Sequence, residues 1–262
     1  MENAQLIEMI HLSLAETMRE IARRSDGAIL ERQGVLLYAA GPTDPALWNG
    51  VVRIEPHQGA DAILAMADEF FSSLGRGYTL QTFDRLDQDL DEALQGNGRK
   101  PTSDAPEMIL ETPVPASPLP PGISIREVTD EKSWEDFLVT AGAAFKTLGV
   151  GPEVWRAAYP ELRSVAAPHI ATMVAYVNGD PAATGMVYVN HSVAELIHIG
   201  THPDYRHQGL GELVTRAVTN EGFKRSARLA SLQSTRMGES VYRRIGYREV
   251  GRYRWYISPA RP

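Results

Sequence analysis

Hydrophobic residues along this chain recur with two periods, one typical of helices and one typical of strands. Leu6, Ile10, Leu14 and Met18 are spaced by four residues with glutamates between them, which predicts a helix over residues 4–23. Short apolar runs bounded by glycine, proline or asparagine predict strands. In the first half these patterns give strands at 27–31, 35–40, 50–54, 78–83 and 107–111, and helices at 59–74 and 84–94.

Prolines interrupt this alternation in the middle of the chain. The segment Thr112–Gly122 contains Pro113, Pro115, Pro118, Pro120 and Pro121. Because proline fixes φ and lacks an amide hydrogen, such a density excludes a helix or a central strand and favours a stiff extended connection. We therefore predict a first domain at 1–111, a proline-rich linker at 112–122 and a second domain at 123–262.

The second half is predicted to have the element order β-α-α-β-β-β-α-β-α-β. A strand at 123–128 leads to a helix that Thr129 or Asp130 caps and that ends near Phe145. Pro152 begins a short second helix. The later strands are predicted at 170–177, 183–190, 192–201, 228–233 and 247–257, with helices at 212–223 and 237–245.

One stretch, residues 194–211, combines a strand, a tight turn and a helix start. The apolar run to Thr201 ends at Pro203 and Asp204, and the sequence Arg206-x-x-Gly209-x-Gly211 follows. Unpaired amides at a helix N-terminus bind phosphate oxygens, and glycines let the backbone approach them closely. The spacing is neither Gly-x-Gly-x-x-Gly nor that of a P-loop with its lysine. An ordinary strand-to-helix turn is the alternative for this stretch alone.

This loop resembles the pyrophosphate loop of the GCN5-related N-acetyltransferases (GNAT), which hold acetyl-coenzyme A. A second signature of that family, aliphatic-Tyr-x-x-aliphatic-Gly-aromatic, stands at residues 241–247 as Val-Tyr-Arg-Arg-Ile-Gly-Tyr. The resemblance covers residues 123–258. It implies an α/β (α+β) fold with a mixed, mostly antiparallel GNAT-type sheet flanked by helices, preceded by a second, smaller α/β domain. The first half resembles a degenerate acetyltransferase-like half without a phosphate loop; an unrelated accessory module is the alternative.

The resemblance implies a set of residues that contact acetyl-CoA. They are the strand end Ile199, Gly200 and Thr201, the loop Arg206, His207, Gln208, Gly209, Leu210 and Gly211, and Thr235. Thr235 stands where many family members carry an asparagine, which leaves that contact open.

Transfer of an acetyl group to an amine requires a base for the amine and an acid for the departing thiolate. Glu195 lies in an apolar strand where some family members place a glutamate base, and burial should raise its pKa. A glutamate that only positions water or substrate is the alternative. His198 is the rival base, on the opposite face if the strand is regular. Tyr242 matches the family's usual acid; a packed tyrosine with its hydroxyl on a backbone carbonyl is the alternative.

Composition narrows the class of partner. The net charge of −7 argues against general nucleic-acid binding, and the absence of cysteine excludes disulfides and thiolate metal sites. Residues 1–111 hold nine Lys and Arg against 19 Asp and Glu, whereas the segment from Arg206 onward holds 12 against four, which suits a polyanionic cofactor. No apolar run approaches the ~20 residues of a membrane helix. The first residues do not look like a secretory signal. We expect a cytoplasmic protein that requires no metal.

The leading hypothesis is therefore an acetyl-CoA-dependent N-acetyltransferase, with a small-molecule or peptide amine as acceptor. A non-catalytic acyl-CoA-binding or sensing protein is the alternative, and the presence of both Glu195 and Tyr242 favours the enzyme. A nucleotide-binding module would need a lysine or a ribose-binding acid that the chain lacks in place. The acceptor is expected against residues 145–160, but neither its identity nor the oligomeric state is predicted.

Overall fold

The computed structural model describes residues 3–41, 48–115 and 118–260, and these residues group into two compact units. The first unit comprises Met1–Glu107 together with Glu249–Pro262, and the second comprises Met108–Arg248. Each unit is a sheet with helices packed on it. No helix in the described ranges is long and apolar enough to cross a membrane.

The helices and strands follow one another in the order that the sequence pattern predicts. In chain order they are α1 (Asn3–Arg24), β1 (Ala28–Arg32), β2 (Val35–Ala39), β3 (Asn49–Arg53), α2 (Ala60–Ser73), β4 (Tyr78–Phe83), α3 (Gln88–Gly96), β5 (Ser103–Leu110), β6 (Ile123–Glu127), α4 (Glu131–Ala144), α5 (Pro152–Ala158), β7 (Ile170–Val177), β8 (Asp180–Asn190), β9 (Val193–Thr201), α6 (Leu210–Lys224), β10 (Leu229–Gln233), α7 (Glu239–Ile245) and β11 (Arg248–Ser258).

The first unit has the strand order β1-β2-β3-β4-β11. β3 and β4 are parallel and joined through α2, whereas β1–β2, β2–β3 and β4–β11 pair antiparallel. All residues of β2, β3 and β4 are buried because helices cover both faces. Leu37 and Val51 pack under α2 and α3, while Leu36 and Val52 pack under α1. This two-sided burial explains why these strands are continuously apolar.

The last strand belongs to the first unit. β11 pairs with β4, with Tyr253 opposite Phe83 and Ser258 opposite Tyr78. The sequence pattern predicts this strand in the second domain, 123–262, because it follows that domain along the chain. The predicted connection at 112–122 lies in the second unit, where Val114 exchanges two backbone hydrogen bonds with the Asn220 side chain. Ala116 and Ser117 of that connection lie outside the described residues.

The second unit has the strand order β10-β9-β8-β7-β6. β9 and β10 are parallel, and the other pairs are antiparallel, so the sheet is mixed and mostly antiparallel, as predicted. One face packs on α6 and α7 through Leu196, Val218 and Tyr247. The opposite face carries α4 and α5, whose Phe137 and Trp155 rings meet edge to face at 5.7 Å.

Local chemistry explains where several elements begin. Asp130 caps α4, since its carboxylate accepts the Ser133 amide at 2.8 Å and the Ser133 hydroxyl accepts the Asp130 amide. α3 begins at Gln88, four residues later than predicted. Asp87 holds that turn, because its carboxylate accepts from the Phe83 amide and from the buried Arg53 guanidinium.

Candidate functional site

The sheet of the second unit opens between β9 and β10. Their paired register runs from Val193 with Leu229 to Glu195 with Ser231. Within the described residues the two strands make no further pairs, although β9 continues to Thr201 and β10 continues to Gln233. The edge of β9 beyond Glu195 therefore presents backbone groups toward β10, an arrangement that accepts an extended ligand as an added strand.

The glycine-containing loop lies directly after this open strand end. Gly209 is the N-cap of α6 with φ of +76°, and His207 also has a positive φ of +64°. A Cβ at Gly209 would meet no atom within 4 Å, and at Gly211 it would meet only Thr201 Oγ1 at 3.5 Å. The space over both glycines is therefore open to a ligand.

The first turn of α6 leaves amide hydrogens without intrahelical partners. The first backbone bond of the helix runs from the Leu213 amide to the Gly209 carbonyl at 3.1 Å, so the amides of residues 210–212 precede it. In the described part of the chain no side chain caps this helix. Together with the positive end of the helix dipole, unpaired amide donors of this kind favour an anion.

The strand end and the loop are fixed by packing on both sides. The Leu210 side chain is buried with Val214, and Ile199 packs on the same cluster, so both residues offer only their backbones to the open side. Gly200 lies so close to α4 that a Cβ would approach Ala144 and Phe145 to 2.8 Å.

The polar members of the loop are exposed. Arg206 is exposed, and its guanidinium reaches the carbonyls of Thr201 and Ala144 at 3.4 Å. His207 and Gln208 are also exposed. The structure thus brings all predicted loop and strand-end residues to one place, and their contacts with a cofactor stay a prediction.

Glu195 is buried at the point where β9 and β10 part. Glu195 is 1% exposed. It pairs with Tyr188 on β8 and with Ser231 on β10. Burial raises the pKa of Tyr247, and the charges of Tyr242 and Glu195 raise it further, so both residues lie within electrostatic reach of this phenol.

Tyr242 lies on α7, 8% exposed, with its ring 6.1 Å from that of Tyr247. Within the described residues its hydroxyl makes no hydrogen bond, unlike the Tyr247 hydroxyl, which bonds Thr219 at 2.7 Å. The alternative of a hydroxyl held on a backbone carbonyl is therefore not what the structure contains. Burial raises the pKa of Tyr242 to about 12, so the phenol is protonated near neutral pH.

His198 lies on the same face of the sheet as Glu195, not on the opposite face. β9 carries a bulge here, because Ile197 pairs with Met186 but Gly200 pairs with Thr184, and His198 takes φ of +56°. The ring stands edge-on to Trp155 at 4.7 Å and bonds the Tyr159 hydroxyl at 2.5 Å. Burial among these rings lowers the pKa of His198 to about 3, so the imidazole is neutral.

Tyr159 and Tyr188 complete this aromatic group, and the sequence pattern predicts neither of them as a site residue. The Tyr159 hydroxyl interacts with the Tyr188 side chain, and burial raises its pKa well above the usual value. Tyr188 is also the cross-strand neighbour of Glu195, which links the aromatic group to the buried carboxylate. Neither tyrosine belongs to a motif; the β8–β9 register places Tyr188 beside the site, and the end of α5 brings Tyr159 there.

Thr235 precedes α7 and stabilises the turn that leads into this helix. Its hydroxyl accepts the Gly238 amide at 3.2 Å, and its carbonyl accepts the Glu239 amide at 3.1 Å. A role toward a cofactor stays a prediction. In the part of the chain that the structure describes, no cluster of His, Cys, Asp or Glu has the arrangement of a metal site.

Comparisons with known proteins identify the fold. The fold is similar to a GCN5-related N-acetyltransferase from Kribbella flavida, with a TM-score of 0.71, 19% identity and coverage of 94% of this chain and 95% of that one. It is also similar to a GCN5-related N-acetyltransferase from Sphaerobacter thermophilus, with a TM-score of 0.60, 17% identity and coverage of 87% of this chain and 78% of that one. A third similar structure is a tandem GNAT protein from the clavulanic acid biosynthesis pathway, with a TM-score of 0.57, 16% identity and coverage of 90% of this chain and 79% of that one.

These alignments cover most of the chain, so the similarity of fold extends into the first unit. No curated protein matches the sequence. The model of the acetyltransferase (GNAT) family matches residues 133–247, which include α4, the open strand β9, the loop, α6 and both sequence signatures. The chain therefore contains a domain of the GNAT family at residues 133–247.

Proposed function

We propose that this protein is an acetyl-CoA-dependent N-acetyltransferase that acts on a primary amine. The observation that carries the proposal is the combination of an open strand edge on β9 with a left-handed glycine at the N-cap of α6. One feature suits an extended amide-bearing chain, and the other suits a diphosphate. Coenzyme A joins those two chemical groups in one molecule.

The residues present fit this cofactor. The amides of residues 210–212 would bind the pyrophosphate oxygens, because they have no intrahelical acceptors and lie at the positive end of the dipole. Arg206 adds a positive charge beside them. The backbone of residues 196–201 would pair with the amides of the pantetheine arm. The open space over Gly209 and Gly211 is where the phosphate groups would lie.

The reaction needs two proton transfers besides the bond changes. The amine nitrogen attacks the thioester carbonyl carbon, forming a C–N bond, and the C–S bond then breaks. Glu195 would accept the proton that the amine loses, and Tyr242 would donate a proton to the departing sulfur. The amide and the free thiol are the products, and the enzyme regains its starting state when a proton returns from Glu195 to Tyr242 through solvent.

The environment of each group supports its proposed role. Tyr242 holds its proton near neutral pH and has no hydrogen-bond acceptor among the described residues, so its hydroxyl is available to a ligand. Glu195 belongs to the last residue pair between β9 and β10, where the opening between the two strands begins. His198 is the weaker candidate base because burial lowers its pKa to about 3.

The test is release of free thiol from acetyl-CoA in the presence of a panel of amines. We expect release with at least one primary amine and loss of coenzyme A binding in the variant Gly209→Asp, where a carboxylate would face the pyrophosphate. Gly179→Asp is the matched control, since Gly179 also has a positive φ, of +98°, and no atom within 4 Å of a Cβ, but lies in the β7–β8 turn.

Two results would overturn parts of this proposal separately. Unchanged coenzyme A affinity in folded Gly209→Asp would exclude the loop from the site. Tight binding of acetyl-CoA without thiol release for any amine would instead favour the non-catalytic acyl-CoA-binding protein.

A further inference from the structure

We propose that a cavity in the first unit binds a small organic carboxylate at Arg99. The cavity has a volume of about 330 Å³ and is built from residues of α2, β4, the segment after α3 and the end of β11. It lies outside the residues assigned to acyl transfer, so the proposal does not depend on that reaction. Its volume falls at the small end of the ~300–1,000 Å³ typical of ligand sites.

The strongest indication is the guanidinium of Arg99. Arg99 lines the cavity and is partly buried, and Nη1 donates to the Ser258 hydroxyl at 2.8 Å. Among the described residues its guanidinium contacts no carboxylate. Most described arginines of this unit with comparable burial do have such a partner; Arg252, for example, pairs with Asp104, and Arg254 pairs with Asp91. A guanidinium that faces a cavity without a carboxylate is suited to an anionic ligand.

A chain of hydrogen bonds fixes the polar wall around Arg99. Arg99 donates to Ser258, the Ser258 side chain bonds the Tyr78 phenol, and Tyr78 donates to Asp68 Oδ1 at 2.9 Å. Burial is the main cause that raises the pKa of Tyr78, so this phenol remains a donor to Asp68. The groups are therefore held in place before any ligand enters, which lowers the entropy cost of binding.

Much of the remaining lining is apolar. Phe71 is buried and stacks on Tyr78 with ring centroids 4.8 Å apart, and Ile257, Pro259 and Ala260 line the same cavity. A second positive side chain, Arg76, also lines it, with its guanidinium 3.4 Å from Asn49 Oδ1. Two arginines and one aspartate beside an apolar wall favour a ligand with one negative charge and a compact apolar body. A polyphosphate would lack the apolar contact.

The two arginines of the cavity lie in a unit whose net charge is negative. The first unit, Met1–Glu107 with Glu249–Pro262, holds 12 Lys and Arg against 19 Asp and Glu, a net charge of −7. Such a surface repels anions at long range, so affinity for a carboxylate has to come from direct contact with the arginines.

The experiment is calorimetric titration of the full chain with benzoate and, as a matched neutral probe, benzamide. We expect benzoate to bind with one equivalent per chain and benzamide to bind roughly tenfold or more weakly, because only benzoate carries the charge that Arg99 recognises. Arg99→Gln should weaken benzoate binding by about tenfold or more and leave benzamide unchanged. Lys100→Gln changes the net charge equally at the exposed neighbouring residue and should leave benzoate affinity within about twofold.

The variant Ile257→Asp gives a second test that does not depend on Arg99. Ile257 is 40% exposed at the cavity wall, so an aspartate here keeps contact with water and places a negative charge beside the ligand; urea unfolding checks that the variant is folded. It should also weaken benzoate binding, whereas Gly209→Asp in the second unit should not. The proposal is wrong if benzoate does not bind, if benzamide binds equally well, or if Lys100→Gln weakens binding as much as Arg99→Gln.

Discussion

Replacement of Tyr242 by phenylalanine separates catalysis from stability in this protein. The ring packs against Gly238 and lies near Tyr247, and both contacts remain in the variant. The lost hydroxyl makes no hydrogen bond among the described residues, so the free energy of unfolding should change by less than ~0.5 kcal/mol. If Tyr242 is the acid, kcat should fall by about 10²–10⁴-fold, equivalent to ~3–5 kcal/mol in the barrier.

Tyr247→Phe is the matched control, because it removes the same atom from a neighbouring ring. Here the hydroxyl is bonded to Thr219 at 2.7 Å, and Thr219 also donates to the Thr215 carbonyl. Loss of this buried bond should lower the free energy of unfolding by ~1 kcal/mol. Tyr247 has no proposed role in proton transfer, so kcat should stay near the wild-type value.

The two variants are compared by thiol release with one accepted amine, by coenzyme A titration and by urea unfolding. Coenzyme A affinity should be unchanged in both. The acid role of Tyr242 is refuted if Tyr242→Phe keeps the wild-type kcat, or if Tyr247→Phe loses as much activity as Tyr242→Phe. Because burial raises the pKa of Tyr242 to about 12, the wild-type rate should show no decline below about pH 10 from loss of this proton.

Three further predictions concern the base, the stoichiometry and the histidine. Glu195→Gln should lower the rate most at low pH, where free amine is scarce, and less at high pH; a pH–rate profile without this difference would exclude the base role. The whole chain should bind one equivalent of coenzyme A, since the first half lacks a phosphate loop, and two equivalents by calorimetry would contradict this. The pKa of His198, at about 3, lies below its unfolded value of 6.5, so the unfolded chain binds more protons between these values and His198 should make stability fall as pH decreases from 6.5 to 3. His198→Asn, which tolerates the positive φ, should weaken that dependence in unfolding titrations.

Elements with strong local signals could be predicted from the sequence. The strand Tyr78–Phe83 has the predicted bounds, since a glycine turn precedes it and an Asp-rich turn follows. The sequence offers Thr129 or Asp130 as the cap of α4. In the structure Asp130 is the cap, because its carboxylate accepts the amide of the third helical residue. The partnership of β11 with β4 could not be predicted, because residues 78–83 and 253–258 are far apart in the chain and hydrophobic period does not identify a strand's partner.

The bulge at His198 shows why the candidate site was only partly predictable. A regular strand puts residues three apart on opposite faces, so the sequence separates Glu195 from His198. One additional residue in β9 reverses that parity from His198 onward and turns the imidazole toward Tyr159, which also contacts Tyr188 beside Glu195. The residue that takes the positive φ in the bulge is a histidine and not a glycine. Both candidate bases therefore share one face of the sheet, and their environments separate them: the imidazole is held neutral among aromatic rings, while the carboxylate lies where the two parallel strands part.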